Sequence, residues 1–325
     1  MHDYLIYFIF ALILLGVALL YFRIADNYNI IDHPNERSSH SEVTLRGGGI
    51  LFPIAALLFF VSFGFQYPYF LLGLVLIALI SFLDDLLTLN NKIRLLIHFI
   101  AVILLFYQWD LFALPFYWLI AAAIFVIGTI NAYNFMDGIN GITGLYSLGT
   151  IATMIFLNSD SEFIDQNFLI ITLISLLIFL YFNFRIKARC FAGDVGSISI
   201  AFIILFALGS LILQSQHVIY ILFLAVYGTD TVLTIAVRLY NRENIFQPHR
   251  SHVYQLLSNE SGFSQRLVAF LYTMLQIFLN GLIIWSADQS TQVKVIVTTL
   301  IVVILISSYF IIRNRIGEKI NYLKV

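Results

Sequence analysis

Apolar residues run through this chain in membrane-length stretches, broken by short polar clusters. Eleven stretches can be traced, at residues 4–22, 48–64, 67–83, 93–108, 113–131, 141–157, 167–184, 196–213, 217–238, 266–286 and 293–312. A helix crosses a ~30 Å hydrocarbon core in about 20 apolar residues, so the pattern predicts an all-α, polytopic membrane helical bundle of about 11 transmembrane helices. Several stretches are short for that thickness and are expected to tilt or to end at the interface. Connections are short except at 23–47 and 239–265, and residues 1–325 read as a single integral-membrane domain. The opening "MHDYLIYF" lacks the basic flank of a cleavable signal, so the first stretch is expected to stay as a helix.

Composition agrees. The chain is 61% hydrophobic and 11% charged, with a mean hydropathy of +0.93, against about 25% charge in soluble domains. A net charge of −1 offers no basic face for nucleic acid. The lone cysteine, Cys190, excludes an intramolecular disulfide. Of the 17 Lys and Arg residues, all but Lys294 follow odd-numbered stretches. The positive-inside rule then places the odd loops and the C-terminus in the cytoplasm and the N-terminus outside. A miscounted span would scramble this segregation, so the skew also supports eleven.

Five polar clusters share that side: "DHPNERSSHSEVTLRGGG" (32–49), "LDDLLTLNNK" (83–92), "NAYNFMDGINGITG" (131–144), "CFAGDVGS" (190–197) and "QPHRSHVYQLL" (247–257). Chemistry between a charged, soluble substrate and a lipid would be placed this way. Asp84 and Asp85 are adjacent carboxylates at a span end, where they call for a cation or a raised pKa unless they simply cap the helix in water. Asn134 and Asp137 stand three apart and face one way on a helix or turn. Hard oxygen donors at that spacing suit Mg²⁺, with Mn²⁺ as an alternative; a Gly/Asn helix stop is the competing structural role. Asp194, in "GDVGS", can cap the following helix, and Gly193 and Gly196 allow the backbone approach a phosphate would use. His249, Arg250 and His252 suit phosphate oxygens or a base edge, and Arg37, His40 and Arg46 form a second basic set. Asp230 and Arg238 lie inside a span about two turns apart, and Asp230 serves either structure or site. His98 reads as an interfacial hydrogen-bonder. No GxxxxGK[ST], HExxH or GxSxG pattern is present. Together these residues suggest a metal-bridged diphosphate site facing a lipid acceptor.

In order, "DDLL", "NAYNFMDGINGITG", "FAGDVGS" and "PHRSHVYQLL" closely resemble the motifs of the polyprenyl-phosphate N-acetylhexosamine-1-phosphate transferases (glycosyltransferase family 4). That family includes the initiators of O-antigen, common-antigen and teichoic acid synthesis and the muramoyl-pentapeptide transferase. The first cytoplasmic loop resembles the family's too, so the likeness covers roughly residues 26–257. It implies an Mg²⁺-dependent attack of undecaprenyl phosphate on a UDP-N-acetylhexosamine, releasing UMP, at the cytoplasmic face of a bacterial inner membrane. By resemblance, Asp84 and Asp85 match the acidic pair linked to the lipid phosphate, and Asp194 matches the principal metal ligand. Asn134 and Asp137 match residues at the metal and diphosphate, Asn183 one near the nucleotide, and His249, Arg250 and His252, with Arg46, substrate contacts. Assembly as a homodimer stays open.

Departures are Leu45 where the family has Pro, Arg185 and Ile186 where it has Pro-Pro, and an HRSHxY form of the last motif. The last of these leans the reading toward initiation of O-antigen, capsule or exopolysaccharide. Other readings are an ion-coupled secondary transporter, a CDP-alcohol phosphatidyltransferase, whose signature "DGINGITG" does not continue, and an inactive scaffold.

Overall fold

The computed structural model describes residues 2–32, 43–87, 89–245, 247 and 250–323. Long helices dominate: α1 (His2–Asn27), α2 (Leu51–Ser62), α3 (Pro68–Leu87), α4 (Asn91–Gln108), α5 (Phe116–Met136), α6 (Ile142–Ser161), α7 (Gln166–Asn183), α8 (Gly193–Ser215) and α9 (Ala225–Tyr240). A single turn, α10 (Val253–Gln255), precedes α11 (Gln265–Ala287) and α12 (Thr291–Leu323). Among the described residues ten segments are long and apolar enough to cross a membrane, and Gly48–Ser62 is a shorter apolar eleventh. Each expected stretch therefore has its helix, in an all-α, multi-pass membrane bundle. The ninth opens as a 3₁₀ segment, Val218–Leu224, and the last continues well past residue 312.

The centre of the bundle is α8. Its apolar span is 83% buried, far more than its neighbours, because helices surround it and it is hydrophobic on every face. Phe70 of α3 stacks on Phe206 and Phe202 of α8, with ring centroids 4.1 and 5.7 Å apart. Peripheral helices such as α12 keep long apolar side chains exposed, as lipid-facing surfaces do. His98 of α4 is buried rather than interfacial.

The chain after α1 is stitched to the segment entering α8. Strand β1 (Ile31–Asp32) pairs antiparallel with β2 (Thr44–Leu45). Leu45 bridges in parallel to Cys190, and the Gly48 and Gly49 N–H groups donate to the Phe191 and Ala192 carbonyls. A Cβ on Gly49 would collide with the Gly196 Cα, so this crossing needs glycine on both sides. Arg46 is thereby carried to the N-terminus of α8.

Candidate active site

The site forms where several helices end on one side of the bundle. Asp84 and Asp85 close α3, Arg94 opens α4, Asn134 and Asp137 close α5, and Asp194 opens α8. The Asp85 side chain is wholly buried. Its carboxylate meets Arg46 Nε at 2.9 Å and accepts the N–H groups of Asp194 and Val195 at 3.0 and 3.2 Å. It thus caps α8, where an anion gains both unpaired N–H groups and the helix dipole. Gly193 keeps its backbone at a cavity, while the space that a side chain would take there and at Gly196 is filled by protein. The Asp85 Oδ2 stands 2.6 Å from where a Gly193 Cβ would project, at a φ of +71°, and Gly196 packs against Gly49.

Asp84 accepts the Leu89 N–H at 2.7 Å and pairs with Arg94 at 2.6 Å. The same guanidinium reaches Asp194 Oδ2 at 3.1 Å, while Arg46 lies 3.6 Å from Asp194 Oδ1. Two arginines therefore hold Asp194 in place, one shared with Asp85 and the other with Asp84. The sequence reading counted Arg94 only for topology. Its signal was a cation in the first turn of a helix, a position the dipole disfavours unless a carboxylate answers it.

In front of this network is a cavity of about 240 Å³, lined by Asp32, Arg46, Asn134, Asp137, Gly138, Ile139, Asn140, Asn183, Phe191, Gly193, Asp194, Gln255 and Gln265. Asn134 and Asp137 open into it together, as their spacing predicted. Asn131 turns back to the Ile127 carbonyl instead. Asp137 is enclosed by protein except toward the cavity. Burial first, then the charges of Asp194 and Asp85, pushes its carboxyl up to about 7, against a lowering from Thr143 and Arg46. Asn183 lines the cavity while bridging the fold: its amide accepts the Gly141 N–H at 2.8 Å and donates to the Cys190 carbonyl at 2.9 Å.

The HRSH loop is placed differently from expectation. His249 lies outside the described residues, as do Arg37 and His40. Arg250 and His252 do not line the cavity, and His252 is buried. Asp230 gathers this loop. Its carboxylate accepts the Val253 and Tyr254 N–H groups at 3.0 and 3.3 Å, the Tyr272 hydroxyl at 2.8 Å and the Thr234 hydroxyl at 3.2 Å, with His252 Nδ1 at 3.3 Å. Asp230 is thus a structural clamp, and Gln255 is the loop residue that reaches the cavity. Asp84 and Asp85 likewise stand behind the cavity wall rather than in it.

Among the described residues no group of three or more His, Cys, Asp or Glu side chains could hold a metal by itself. Asp137 and Asp194 with the Asn134 amide make a partial set. Such a set fits Mg²⁺, which takes one or two carboxylates and completes its shell with substrate phosphate and water.

A charged cavity at one end of a polytopic helical bundle defines a membrane-embedded enzyme. The model of glycosyl transferase family 4 matches residues 67–213. Phospho-N-acetylmuramoyl-pentapeptide-transferase of Thermotoga neapolitana is 30% identical over 243 residues, 68% of this chain and 78% of the relative. The Bacillus subtilis protein named "Probable undecaprenyl-phosphate N-acetylglucosaminyl 1-phosphate transferase" is 27% identical over 291 residues, 81% of each chain. Undecaprenyl-phosphate alpha-N-acetylglucosaminyl 1-phosphate transferase of Yersinia pestis is 26% identical over 303 residues, 84% of this chain and 81% of the relative. The chain belongs to glycosyl transferase family 4 and is a multi-pass membrane transferase.

Proposed function

We propose that this enzyme transfers N-acetylhexosamine 1-phosphate from a UDP-sugar to undecaprenyl phosphate, releasing UMP, at the cytoplasmic face of a bacterial inner membrane. The observation that carries the reading is the convergence of Asp137, Asp194, Asn134 and Arg46 on one cavity at the bundle end where the basic residues gather. The relatives' names supply the reaction type. A second feature suits the lipid. An apolar groove of about 340 Å³ lies between α5, α9 and α12, lined by Phe125, Tyr133, Gly228, Val232, Leu305 and others. Its α5 wall reaches Tyr133, adjacent in sequence to the cavity residue Asn134, and an isoprenoid tail would fit this groove.

The reaction forms a bond from a lipid phosphate oxygen to the donor's β-phosphorus and breaks the bond from that phosphorus to the bridging oxygen, which leaves on the α-phosphate as UMP. Asp137, Asp194 and Asn134 would hold a divalent ion, which would neutralise diphosphate charge and improve the leaving group. Arg46 faces the same cavity and can take phosphoryl oxygens with its remaining N–H groups. Asp85 acts on that arginine and on α8, and Asp84 acts on Arg94. Both are positioning residues for Asp194. The lipid-linked sugar phosphate would begin a surface polysaccharide, with O-antigen, capsule or exopolysaccharide favoured by the HRSHxY motif.

The test is transfer by membranes carrying the protein, given labelled UDP-N-acetylhexosamines and undecaprenyl phosphate. UMP release and a lipid-linked product should both require Mg²⁺. Asp137→Asn and Asp194→Asn should each lower the rate at least about 100-fold, the scale for losing a major electrostatic stabiliser. Solute uptake without UMP release would overturn the reading in favour of a transporter. Asp230, an acid inside a span, does not favour that alternative, since its carboxylate is already taken by several donors.

A further inference from the structure

Gln255 is fixed in both position and orientation. Its backbone belongs to the turn that Asp230 clamps through the Val253 and Tyr254 N–H groups. The Tyr254 hydroxyl ties the same turn to α5 by donating to the Phe135 carbonyl at 2.9 Å. Gln255 Oε1 accepts the His252 N–H at 3.4 Å. The oxygen is therefore the end turned to the backbone, and the NH₂ end faces the other way. There Nε2 lies beside Gly138, 3.3 Å from where a Cβ would project, and the side chain lines the cavity next to Asp137. No described residue accepts from it. A rigid, neutral double donor aimed at the metal-side wall is a means of binding an acceptor oxygen without adding charge.

We infer that Gln255 is a substrate-contacting residue, donating from Nε2 to a phosphoryl oxygen of the donor's diphosphate. The inference rests on the transferase reading and adds to it a contact from a residue of the same loop whose side chain lines the cavity, where those of Arg250 and His252 do not. Losing one hydrogen bond to a charged group predicts a rise in KM for the UDP-sugar of about tenfold or more, with a smaller change in kcat.

Two variants separate contact from capping. Gln255→Glu keeps the acceptor for the His252 N–H and loses the donors. Gln255→Met loses both and adds no charge. Each is assayed in the full-length protein for KM, kcat, thermal stability and inhibition by UDP and by uridine. The expected result is a raised KM in both variants, a parallel weakening of UDP but not uridine inhibition, and a drop in stability confined to Gln255→Met. A raised KM in Gln255→Met alone would reduce the residue to a cap. A raised KM in Gln255→Glu alone would mark charge repulsion with no donor needed. Wild-type KM in both also overturns the inference while leaving the transferase reading intact. A wild type that transfers nothing overturns the two together.

Discussion

Replacing Asp85 with Asn tests whether the acid pair works through the fold or on the substrate. Asp85 takes three donors: Arg46 Nε at 2.9 Å and the Asp194 and Val195 N–H groups at 3.0 and 3.2 Å. Asparagine offers one acceptor oxygen and must turn its NH₂ toward either the guanidinium or the helix end, both electropositive. Breaking a buried ion pair costs about 3–5 kcal/mol, including the ~0.5–1 kcal/mol of a charge at a helix N-terminus. Arg46 keeps 34% of its side chain exposed and can rehydrate, so the low end applies, about 3 kcal/mol. Activity should fall with stability, because Arg46 and Asp194 lose their common anchor. In an Arg46→Gln background the ion pair is already absent, and the further loss should shrink to about 1 kcal/mol. Denaturation of the four proteins of this cycle in detergent, alongside UMP release, measures both quantities. If Asp85→Asn abolishes transfer at unchanged stability, or if its effect is undiminished without Arg46, the buried carboxylate is acting on substrate and the positional argument is wrong.

Asp137 should make the divalent-ion requirement depend on pH. Its carboxyl is raised to about 7 in the folded protein, from an ordinary value near 3.8, so the folded chain binds this proton more tightly than the unfolded chain. Without metal, that contribution to stability is present below pH ~4 and is lost as pH rises through about 7. A metal needs the carboxylate, so the Mg²⁺ concentration for half-maximal activity should climb as pH falls from 8 to 6, and a flat titration would count against Asp137 as a ligand. Arg94→Ala should remove the ion pair of Asp84 and leave Asp194 only the more distant Arg46, reducing transfer by at least about tenfold, with Arg94→Lys rescuing only part, since one ammonium cannot span both carboxylates as the guanidinium fork does. Gly49→Ala forces backbone apart at Gly196 and should cost about 1–3 kcal/mol or more, read as lost folded yield in detergent.

The bundle was legible because lipid imposes a simple demand: every backbone group must be satisfied within its own helix, and side chains must be apolar. Polar residues at span ends then stand out, and Asp84, Asp137 and Asp194 were visible for that reason. What single residues do at a helix end was less legible. "DD" carries no mark that Asp85 turns inward to cap a helix 109 positions away, or that Asp84 turns to Arg94. "GDVG" reads as room for a phosphate, and nothing in it or in the GGG run marks that Gly196 and Gly49 serve a crossing between two backbone segments. In the HRSH loop, charge and ring nitrogens suggest ligand contact, and nothing in the sequence marks that a buried acid in α9 also takes His252. Gln255 carried no chemical signal at all. Only the direction of its amide, set by one backbone N–H, brings it into view.

The clamp on Asp230 bears on how the protein enters the membrane. Its donors besides Thr234 all lie downstream, from His252 to Tyr272, so during synthesis α9 reaches the translocon with a carboxylate that nothing yet answers. An acid in that setting costs about 2.5–3.5 kcal/mol to release into lipid. Insertion of α9 is therefore provisional until α11 arrives, and a chain stalled between the two presents membrane proteases with a half-inserted helix.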